Sequence, residues 1–450
     1  MYFLYSAALA VAFVLATPYW IFKMLRHGKY RAGLAERLGR VPERVRSAQP
    51  GDQCVWIHAV SVGEVLAISQ LVQELKQSSA KKLRIVISTT TTTGQNLARE
   101  RFGEENVFYF PLDFGFCIGP YMRALRPKLV VMAETEFWPN FLRKAKRCGA
   151  AVAVVNARIS DRSLPGYRRW RGILARVLQN VDLFLAQSED DKRRVMEIGA
   201  APERVEVSGN LKFDVKPPAK LEIVEQVRQA IERGGGGPII VAGSTVEGEE
   251  VLLLGAFQVI LREHSEAVLI LAPRHPERFE KVWEMLQGFG VGRDELISLP
   301  GLTRFEKLRR TELAPNANIY GAVLLLDTIG ELASMYELGD VAIVGGSFVP
   351  LGGHNILEPA QFGKAIVVGP FTHNFRDIIG IFLREQAIVV ARAAAEHGIK
   401  ADLGPKLLEL VPDESSRRKL GERALAVLES QRGATARTAR SLIRLLEAAK

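Results

Sequence analysis

The sequence predicts an α/β protein with two doubly wound domains that face each other across a cleft, preceded by one apolar helix. Two series of short apolar runs, one on each side of residues 209–220, alternate with amphipathic stretches, as expected for parallel strands joined by helices. The chain has 450 residues. That is about three times the length of a typical domain, which leaves room for two large ones.

The N-terminal segment from Tyr2 to Phe22 has no charged residue. Its length suffices to cross a bilayer, which takes ~20 residues, and Tyr19 and Trp20 fit an interfacial aromatic belt. The basic residues that follow are Lys23, Arg26, His27, Lys29 and Arg31. By the positive-inside rule they place the remaining chain in the cytoplasm. We therefore predict a single-pass or monotopic anchor over residues 1–22, with a buried first helix of a soluble domain as the alternative.

The apolar runs of each series have the length of buried strands. The predicted strands of the first series are 55–57, 84–88, 128–132, 151–155 and 183–185, and those of the second are 238–242, 267–271, 322–326, 341–344 and 365–368. The Gly-, Asn-, Lys- and Pro-containing stretch 209–220 between the series predicts a linker. Helical spacing of Leu and Ala in the last ~35 residues predicts terminal helices with one exposed face.

The composition narrows the class of partner. The formal charge of +10 and the pI near 9.5 favour an acidic partner, either a phosphorylated substrate or anionic lipid. The sequence lacks a nucleic-acid-binding signature, so nucleic acid is not favoured. Its three cysteines, Cys54, Cys117 and Cys148, have neither zinc-site nor disulfide-framework spacing, and no carboxylate cluster has metal-ligand spacing. We predict neither a metal nor a cofactor.

The segment Gly345–Pro359, GGSFVPLGGHNILEP, carries the clearest functional pattern. It follows a predicted strand, and its four glycines allow positive φ and close approach of a ligand to the backbone. Asn355 and Glu358 fall near the expected start of a helix, where backbone N–H groups attract an anion. A carboxylate at this place would repel phosphate, but it can accept hydrogen bonds from ribose hydroxyls. The pattern predicts a nucleotide-sugar site.

Two acidic segments follow strands of the first series. Glu64 in HAVSVGE stands at a strand-to-helix turn, where it could act as a general base or could simply cap the helix. In AETEFWPN, Glu134 and Glu136 are two residues apart and point the same way in an extended chain. One could face the cleft while the other holds Trp138 or a backbone donor.

Basic residues are candidates for charge neutralisation. Lys212 in GNLKFD could stabilise charge developing on a leaving phosphate or an anionic sugar, or it could be a solvated linker lysine. Arg274 in APRHPERF suits a bidentate grip on phosphate or carboxylate. Gly330 and Glu331 in DTIGEL open a helix near the same ligand. Glu36, in the Arg-rich segment after the anchor, is rejected as a rival base because its neighbours suit headgroup binding.

These motifs together resemble the Kdo transferases, bacterial enzymes that add 3-deoxy-D-manno-octulosonic acid (Kdo) to lipid A precursors. HAVSVGE, AETEFWPN, VNARISDRS, GNLKFD, APRHPERF, DTIGEL, GGSFVPLGGHNILEP and GPFTHNF occur in the family's order, from the anchor to about Phe375. The resemblance implies a GT-B fold, an inner-membrane anchor, a CMP-Kdo donor, a lipid IVA acceptor and an inverting reaction without a metal. One departure is Val246, where the family usually has His after GST.

The resemblance also implies residue roles. Glu64 matches the general base, and Glu134 and Lys212 match positions that stabilise the transition state. The residues implied to hold CMP are Pro273, Arg274, Ile329, Gly330, Glu331, Asn355, Ile356, Leu357 and Glu358. Residues 23–210 would form the acceptor-binding domain and residues 211–450 the CMP-Kdo-binding domain.

Two rival functions remain at this level. A UDP-sugar transferase or 2-epimerase would share the Glu-bearing helix, but it would not account for the anchor or the SVGE turn. A membrane-tethered phospholipid-binding scaffold would not need polar motifs at so many strand ends. Motifs of this kind leave open how many Kdo residues are added.

Overall fold

The computed structural model describes residues 1–27, 32–46, 52–79, 82–215, 217–289, 305–392 and 402–448. Within these ranges the chain forms eighteen α-helices and fourteen strands. The helices are α1 (Tyr2–His27), α2 (Leu34–Arg37), α3 (Val62–Ser78), α4 (Thr92–Phe102), α5 (Gly115–Leu125), α6 (Pro139–Arg147), α7 (Leu164–Arg169), α8 (Arg171–Leu178), α9 (Glu189–Glu197), α10 (Glu222–Arg233), α11 (Glu249–Leu261), α12 (Phe279–Gly288), α13 (Leu332–Met335), α14 (Leu357–Ala360), α15 (Arg376–Arg384), α16 (Leu403–Leu410), α17 (Glu414–Gln431) and α18 (Ala434–Ala448). The strands are β1 (Gln53–His58), β2 (Leu83–Thr89), β3 (Val107–Tyr109), β4 (Leu129–Ala133), β5 (Ala151–Ala157), β6 (Leu183–Ala186), β7 (Val205–Val207), β8 (Ile239–Thr245), β9 (Val268–Pro273), β10 (Glu306–Arg309), β11 (Ala322–Leu325), β12 (Val341–Val344), β13 (Ala365–Val368) and β14 (Val389–Val390).

The chain divides into two compact units. Unit 1 comprises Met1–Asp214 and Gln431–Lys450, and unit 2 comprises Val215–Ser430. In the described ranges each unit contains one parallel sheet of seven strands, in the order β3-β2-β1-β4-β5-β6-β7 in unit 1 and β10-β11-β9-β8-β12-β13-β14 in unit 2. The predicted α/β class and the doubly wound sheets are confirmed.

The strand order gives each unit one point where the winding direction of the sheet reverses. In unit 1 the chain begins its sheet with β1 in the interior, adds β2 and β3 on one side, and then continues with β4 on the other. Unit 2 repeats the arrangement around β8, with β9 on one side and β12 on the other. Sheets of this kind bind ligands beyond the carboxyl ends of the strands, where the winding direction reverses. These switch points lie between β1 and β4 and between β8 and β12.

Both faces of each sheet are buried by helices, which explains the continuous apolar runs. In β1, Trp56 belongs to the core on one face of the sheet, while Val55 and Ile57 belong to the core on the other. All three side chains are fully buried. Successive residues of a strand point to opposite faces, so a strand covered on both sides is apolar at every position.

All ten predicted strands are present, and four further strands were not predicted. The additional strands are β3, β7, β10 and β14. They have between two and four residues each, and β10 reads Glu-Lys-Leu-Arg. Strands this short, or this charged, do not stand out as apolar runs.

The last helix, α18, belongs to unit 1. Its Leu442 and Leu446 are buried in the same core as Ile68 of α3. The Asp214 carboxylate accepts hydrogen bonds from the backbone N–H groups of Gly433 (2.6 Å) and Thr435 (2.5 Å), which ties the start of α18 to the end of the first segment. The terminal helix therefore packs as part of the α/β unit.

Helix α1 has the length and composition of a membrane helix. Its segment Tyr2–Trp20 has a mean hydropathy of 1.5, and none of it is buried inside the protein. A core helix of a soluble domain would be mostly buried, so this exposure is compatible with a membrane-associated protein. Of the basic residues predicted to flank the anchor, Lys29 and Arg31 lie outside the described residues.

Candidate active site

Glu64 lies in the first turn of α3, directly after the carboxyl end of β1. Its Oε2 accepts a hydrogen bond from the Val60 N–H (2.7 Å), and its Oε1 accepts one from the Ser61 hydroxyl (2.9 Å). Ser61 is the N-cap of α3. The carboxylate thus holds the turn that leads into the helix, and each oxygen keeps a second lone pair for another donor.

The environment of Glu64 makes it a better base than an ordinary carboxylate. Its pKa is raised to about 7, chiefly because burial disfavours the charged form and in part because Glu134 and Glu136 repel it electrostatically. The two hydrogen bonds act in the opposite direction and limit the rise in the pKa. A general base works best when its pKa lies near the working pH. Glu64 meets that condition.

Glu134 lies at the carboxyl end of β4, across the switch point from Glu64. It has a positive φ of 56°, which is unusual for a residue other than glycine. Its carboxylate lies 3.7 Å from the Lys212 ammonium and 3.9 Å from the Arg158 guanidinium. Backbone strain of this kind concentrates at functional sites. The structure therefore brings together the three residues with predicted catalytic roles, Glu64, Glu134 and Lys212, all in unit 1.

The neighbouring Glu136 also lies in a partly buried environment. Burial raises its pKa, and the charge of Glu134 adds to the rise. A buried group of carboxylates around a base keeps the pKa of that base high. Glu136 is thus part of the electrostatic environment of Glu64.

Glu36, which was rejected as a rival base, and Arg158, which was not predicted, have defined contacts in unit 1. The Glu36 carboxylate pairs with Arg44 (2.7 Å) and accepts the Tyr109 N–H (2.7 Å). These two contacts hold α2 on the sheet. Arg158, which was not predicted, lies in VNARISDRS, so that motif could have drawn attention to it.

In unit 2, the glycine loop after β12 is held by a buried carboxylate. Glu249 is fully buried, and its Oε2 accepts hydrogen bonds from the N–H groups of Val246 (3.0 Å) and Gly346 (2.7 Å). Its Oε1 accepts one from Phe348 N–H (2.9 Å). Glu249 thereby joins the loops that follow β8 and β12 at the switch point. Sequence reasoning missed this role, because the partners are backbone groups and two of them lie 97 and 99 residues further along the chain.

The glycines of this loop are required by close packing. A Cβ at Gly345 would lie 2.6 Å from the Ser244 carbonyl oxygen, and Gly346 has a φ of 67°. Val246, which departs from the family's usual His, has a buried side chain. Its side chain packs inward, and the residue contributes to the loop through its backbone N–H.

Asn355 and Glu358 lie together at the end of the same loop. The Asn355 side chain accepts the Leu357 N–H (3.1 Å) and donates to Glu358 Oε1 (3.2 Å). Burial raises the pKa of Glu358, whereas Asn355 and the positive charge of Arg274 act to lower it. The helix that begins here, α14, has only four residues. Its dipole is correspondingly small, so the side chains dominate the chemistry of this corner.

The remaining predicted nucleotide residues occupy neighbouring strand ends of unit 2. Pro273 ends β9, and the backbone N–H of Arg274 donates to the Thr245 carbonyl (2.9 Å) while its side chain is exposed. The side chains of Ile356 and Leu357 are buried in the protein. These two residues can therefore offer only backbone groups to a ligand.

A pocket of about 450 Å³ lies beside the 329–331 turn. The Glu331 carboxylate accepts a hydrogen bond from Arg310 Nε (2.7 Å) and one from the Thr328 hydroxyl (2.6 Å). Ile329 is 77% exposed, and Gly330 has a φ of 89°. Arg310, which lines the pocket and pairs with Glu331, was not predicted because it becomes a neighbour only through the pairing of β10 with β11.

Comparison with known proteins decides the family. The family model described as 3-Deoxy-D-manno-octulosonic-acid transferase (kdotransferase) matches residues 32–215. A 3-deoxy-D-manno-octulosonic acid transferase from Haemophilus influenzae is 32% identical over 97% of this chain and 96% of its own length. The chain belongs to the Kdo transferase family. It is therefore a glycosyltransferase enzyme, as the resemblance of its motifs implied.

Other matches agree with this assignment. A 3-deoxy-D-manno-octulosonic acid transferase from Bordetella pertussis is 32% identical over 93% of this chain and 94% of its own length. Among solved structures, the UDP-GlcNAc 2-epimerase of Neisseria meningitidis matches with a TM-score of 0.52 and 10% identity, covering 87% of this chain and 100% of its own. A glycosyltransferase from Rickettsia africae has a TM-score of 0.51 and 12% identity, covering 88% of this chain and 98% of its own. At such low identity these two structures show the fold alone, and they agree with the GT-B fold expected of this Kdo transferase.

Proposed function

We propose that this enzyme transfers Kdo from CMP-Kdo to the lipid A precursor lipid IVA, releases CMP, and thereby serves lipopolysaccharide biosynthesis. The observation that carries the proposal is the environment of Glu64. A carboxylate with a pKa of about 7 lies at the switch point of unit 1, near Glu134 and Glu136. Membership of the Kdo transferase family identifies the transferred sugar as Kdo.

The chemical step is an inverting displacement. Glu64 accepts the proton of the acceptor hydroxyl as the hydroxyl oxygen attacks the anomeric carbon of Kdo. The bond from that carbon to the CMP phosphate oxygen breaks, and its electrons leave with CMP. Attack on the face opposite the leaving group inverts the anomeric configuration. The proton on Glu64 then passes to solvent, which restores the base.

Lys212 and Glu134 stabilise the transition state in this proposal. The Lys212 ammonium neutralises negative charge on the leaving phosphate or on the Kdo carboxylate. Glu134, 3.7 Å from the ammonium, holds it in place and restricts the flexible side chain. CMP leaves with one phosphate, so protein cations can neutralise the developing charge, and we propose that the chemical step uses no metal.

Unit 2 binds the CMP part of the donor. Glu358, oriented by Asn355, accepts hydrogen bonds from the two ribose hydroxyls, which suits an acceptor-only carboxylate. Arg274 contacts the phosphate through its exposed guanidinium. The backbone of the turns at 329–331 and 355–357 completes the site beside Pro273.

The membrane position follows from the acceptor. Lipid IVA carries acyl chains and phosphates, so an enzyme that acts on it benefits from being held at a bilayer. Helix α1 supplies the apolar contact, and the net charge of +10 favours an anionic surface. We propose that the catalytic units lie on the cytoplasmic side of the bacterial inner membrane.

A donor comparison tests the proposed function. The full-length chain in detergent, with lipid IVA as acceptor and a metal chelator present, should release CMP from CMP-Kdo in an acceptor-dependent manner. UDP-GlcNAc, the ligand of a protein with the same fold, serves as the matched alternative donor. Release of UDP without release of CMP would contradict the proposal.

A further inference from the structure

Helix α1 has two faces with different surroundings. Residues three or four positions apart lie on the same face of a helix. On one face the residues are half-buried, and they are Tyr2, Tyr5, Ser6, Leu9, Phe13, Ala16, Thr17 and Trp20. On the opposite face the exposed large apolar residues are Phe3, Leu4, Val11, Val14, Leu15, Tyr19 and Phe22, each at least 53% exposed. We call this second set the apolar face of α1.

Polar contacts hold the first turns of α1 on unit 1. The Asn140 side chain donates to the Ser6 hydroxyl (3.0 Å), and the Asn180 side chain donates to the Tyr2 hydroxyl (2.8 Å). The Arg143 guanidinium lies 4.4 Å from the centre of the Tyr2 ring. Asn140 is itself buried, so the contact with Ser6 is made to a fixed part of the unit.

The middle of the helix contacts the same unit. The Phe13 ring packs edge-on against Phe114, with 6.2 Å between ring centres. Phe114 in turn stacks on Phe116 at 5.4 Å, and Phe116 is 71% exposed. Phe116 is therefore a further exposed apolar residue, linked to the helix through Phe114.

These contacts are incompatible with a helix that crosses the bilayer. The segment Tyr2–Trp20 has 19 residues. Its length is about 28 Å at 1.5 Å per residue, close to the ~30 Å hydrocarbon thickness. In a crossing orientation the first turn would lie at the surface of the bilayer opposite the catalytic units. Ser6 and Tyr2 could not then reach Asn140 and Asn180.

We propose that α1 lies in the plane of the membrane interface, with its apolar face in the acyl chains of an anionic bilayer and its other face on unit 1. The inference rests on the membrane association proposed above and adds its geometry. Lys23 lies 5.1 Å from the Tyr19 ring centre and Arg26 lies 5.7 Å from that of Phe22. Cations beside aromatic rings at the edge of an apolar face are typical of interfacial helices on anionic lipid.

Depth measurements on the full chain distinguish the two orientations. Exposed Cys148 is first replaced by serine, whereas Cys54 and Cys117 are buried. Single cysteines are then placed at Leu4, Val11, Leu15 and Phe22, labelled with bimane, and bound to vesicles containing phosphatidylglycerol. Quenching by lipids with spin labels at different depths locates each probe. An interfacial helix places all four at a similar shallow depth, ~5–10 Å below the headgroups.

Leu9 on the packed face is the matched control position. In the interfacial orientation bimane at residue 9 is protected by unit 1 and escapes lipid quenching. A crossing helix would instead place residues 9 and 11 near the bilayer centre, both strongly quenched, and residues 4 and 22 near opposite surfaces. That profile would overturn the inference, as would failure to bind the vesicles.

Two further readouts complete the test. Strong energy transfer between differently labelled chains, with no lipid quenching, would show that a second copy covers the apolar face, and would also overturn the inference. Kdo transfer by each variant is measured in parallel in detergent. Kdo transfer together with the depth profile of a crossing helix contradicts only the proposed orientation of α1. A shallow depth profile without Kdo transfer from CMP-Kdo contradicts only the proposed chemistry.

Discussion

Replacing Glu64 with glutamine tests whether its carboxylate is the base. The amide keeps the size of the side chain and can still accept from the Val60 N–H, but it cannot take a proton. Loss of a general base typically lowers the rate by ~10²–10⁴-fold. We expect a fall in kcat of that order with little change in CMP affinity, because the proposed CMP residues all lie in unit 2.

The pH dependence makes this prediction sharper. Glu64 must be ionised to act, and its pKa is about 7. Below that pKa, kcat/KM of the free enzyme should fall by about tenfold per pH unit, because only the ionised fraction reacts. An ordinary glutamate would give the same fall only below a pH of about 4.3. In Glu64→Gln the limb near pH 7 should be absent.

Two variants complete the experiment. Glu74→Gln is the control, because it makes the same chemical change on the same helix, at a carboxylate that accepts a hydrogen bond from the Ser78 hydroxyl. It should leave the activity and its pH profile unchanged. Glu134→Gln removes a charge that raises the pKa of Glu64, so any remaining activity should show its acid limb at lower pH. Near-normal turnover by Glu64→Gln, or a limb near pH 7 that persists in it, would refute the role of Glu64.

Three other predictions concern the stability effect of Glu64, the CMP contact of Glu358 and the role of helix α1. The folded pKa of Glu64 lies above its unfolded value, so its contribution to stability is present below pH ~4.3 and is lost as the pH rises through about 7. Glu64→Gln should therefore raise the unfolding temperature relative to the parent chain more at pH 8 than at pH 5. Scanning calorimetry measures both changes, and equal changes at the two pH values would contradict this prediction. Glu358→Ala should weaken CMP binding by ~1.5–3 kcal/mol through loss of a charged acceptor, whereas Glu385→Ala, at an exposed residue, should leave the affinity for CMP unchanged. Equal affinities of the two variants in calorimetric titration with CMP would count against the ribose contact. Removal of residues 1–22 should leave a folded enzyme that matches the full chain on acceptor dispersed in detergent but falls behind it on liposomes, and failure to fold would show that the apolar segment is a core helix.

Much of the fold could be predicted because buried parallel strands have a distinctive sequence pattern. Every apolar run predicted as a strand is one. The terminal helix α18 shows where this reasoning stops. Its amphipathic pattern indicates a buried face but not the partner of that face, and only the structure shows that Leu442 packs with α3. The four unpredicted strands are too short to produce a pattern.

In the candidate site, too, the sequence indicates single residues but not their partners in space. Glu64 and Glu134 could be placed near each other because they follow strands that meet at one edge of a sheet. Glu249, Arg158 and Arg310 could not be assigned roles, because each acts through partners that are distant in sequence. For Glu249 these partners are backbone N–H groups, which have no signature in the sequence.

The most direct test of the central claim is mass spectrometry of the lipid product. The full-length enzyme is incubated in detergent with CMP-Kdo and lipid IVA in the presence of a metal chelator, and the lipid fraction is analysed. We predict a lipid whose mass has increased by one or more Kdo residues, formed together with CMP and absent when Glu64→Gln replaces the parent enzyme. The account would be contradicted if the folded parent enzyme left the lipid unmodified. It would also be contradicted if CMP were released with free Kdo as the only sugar product.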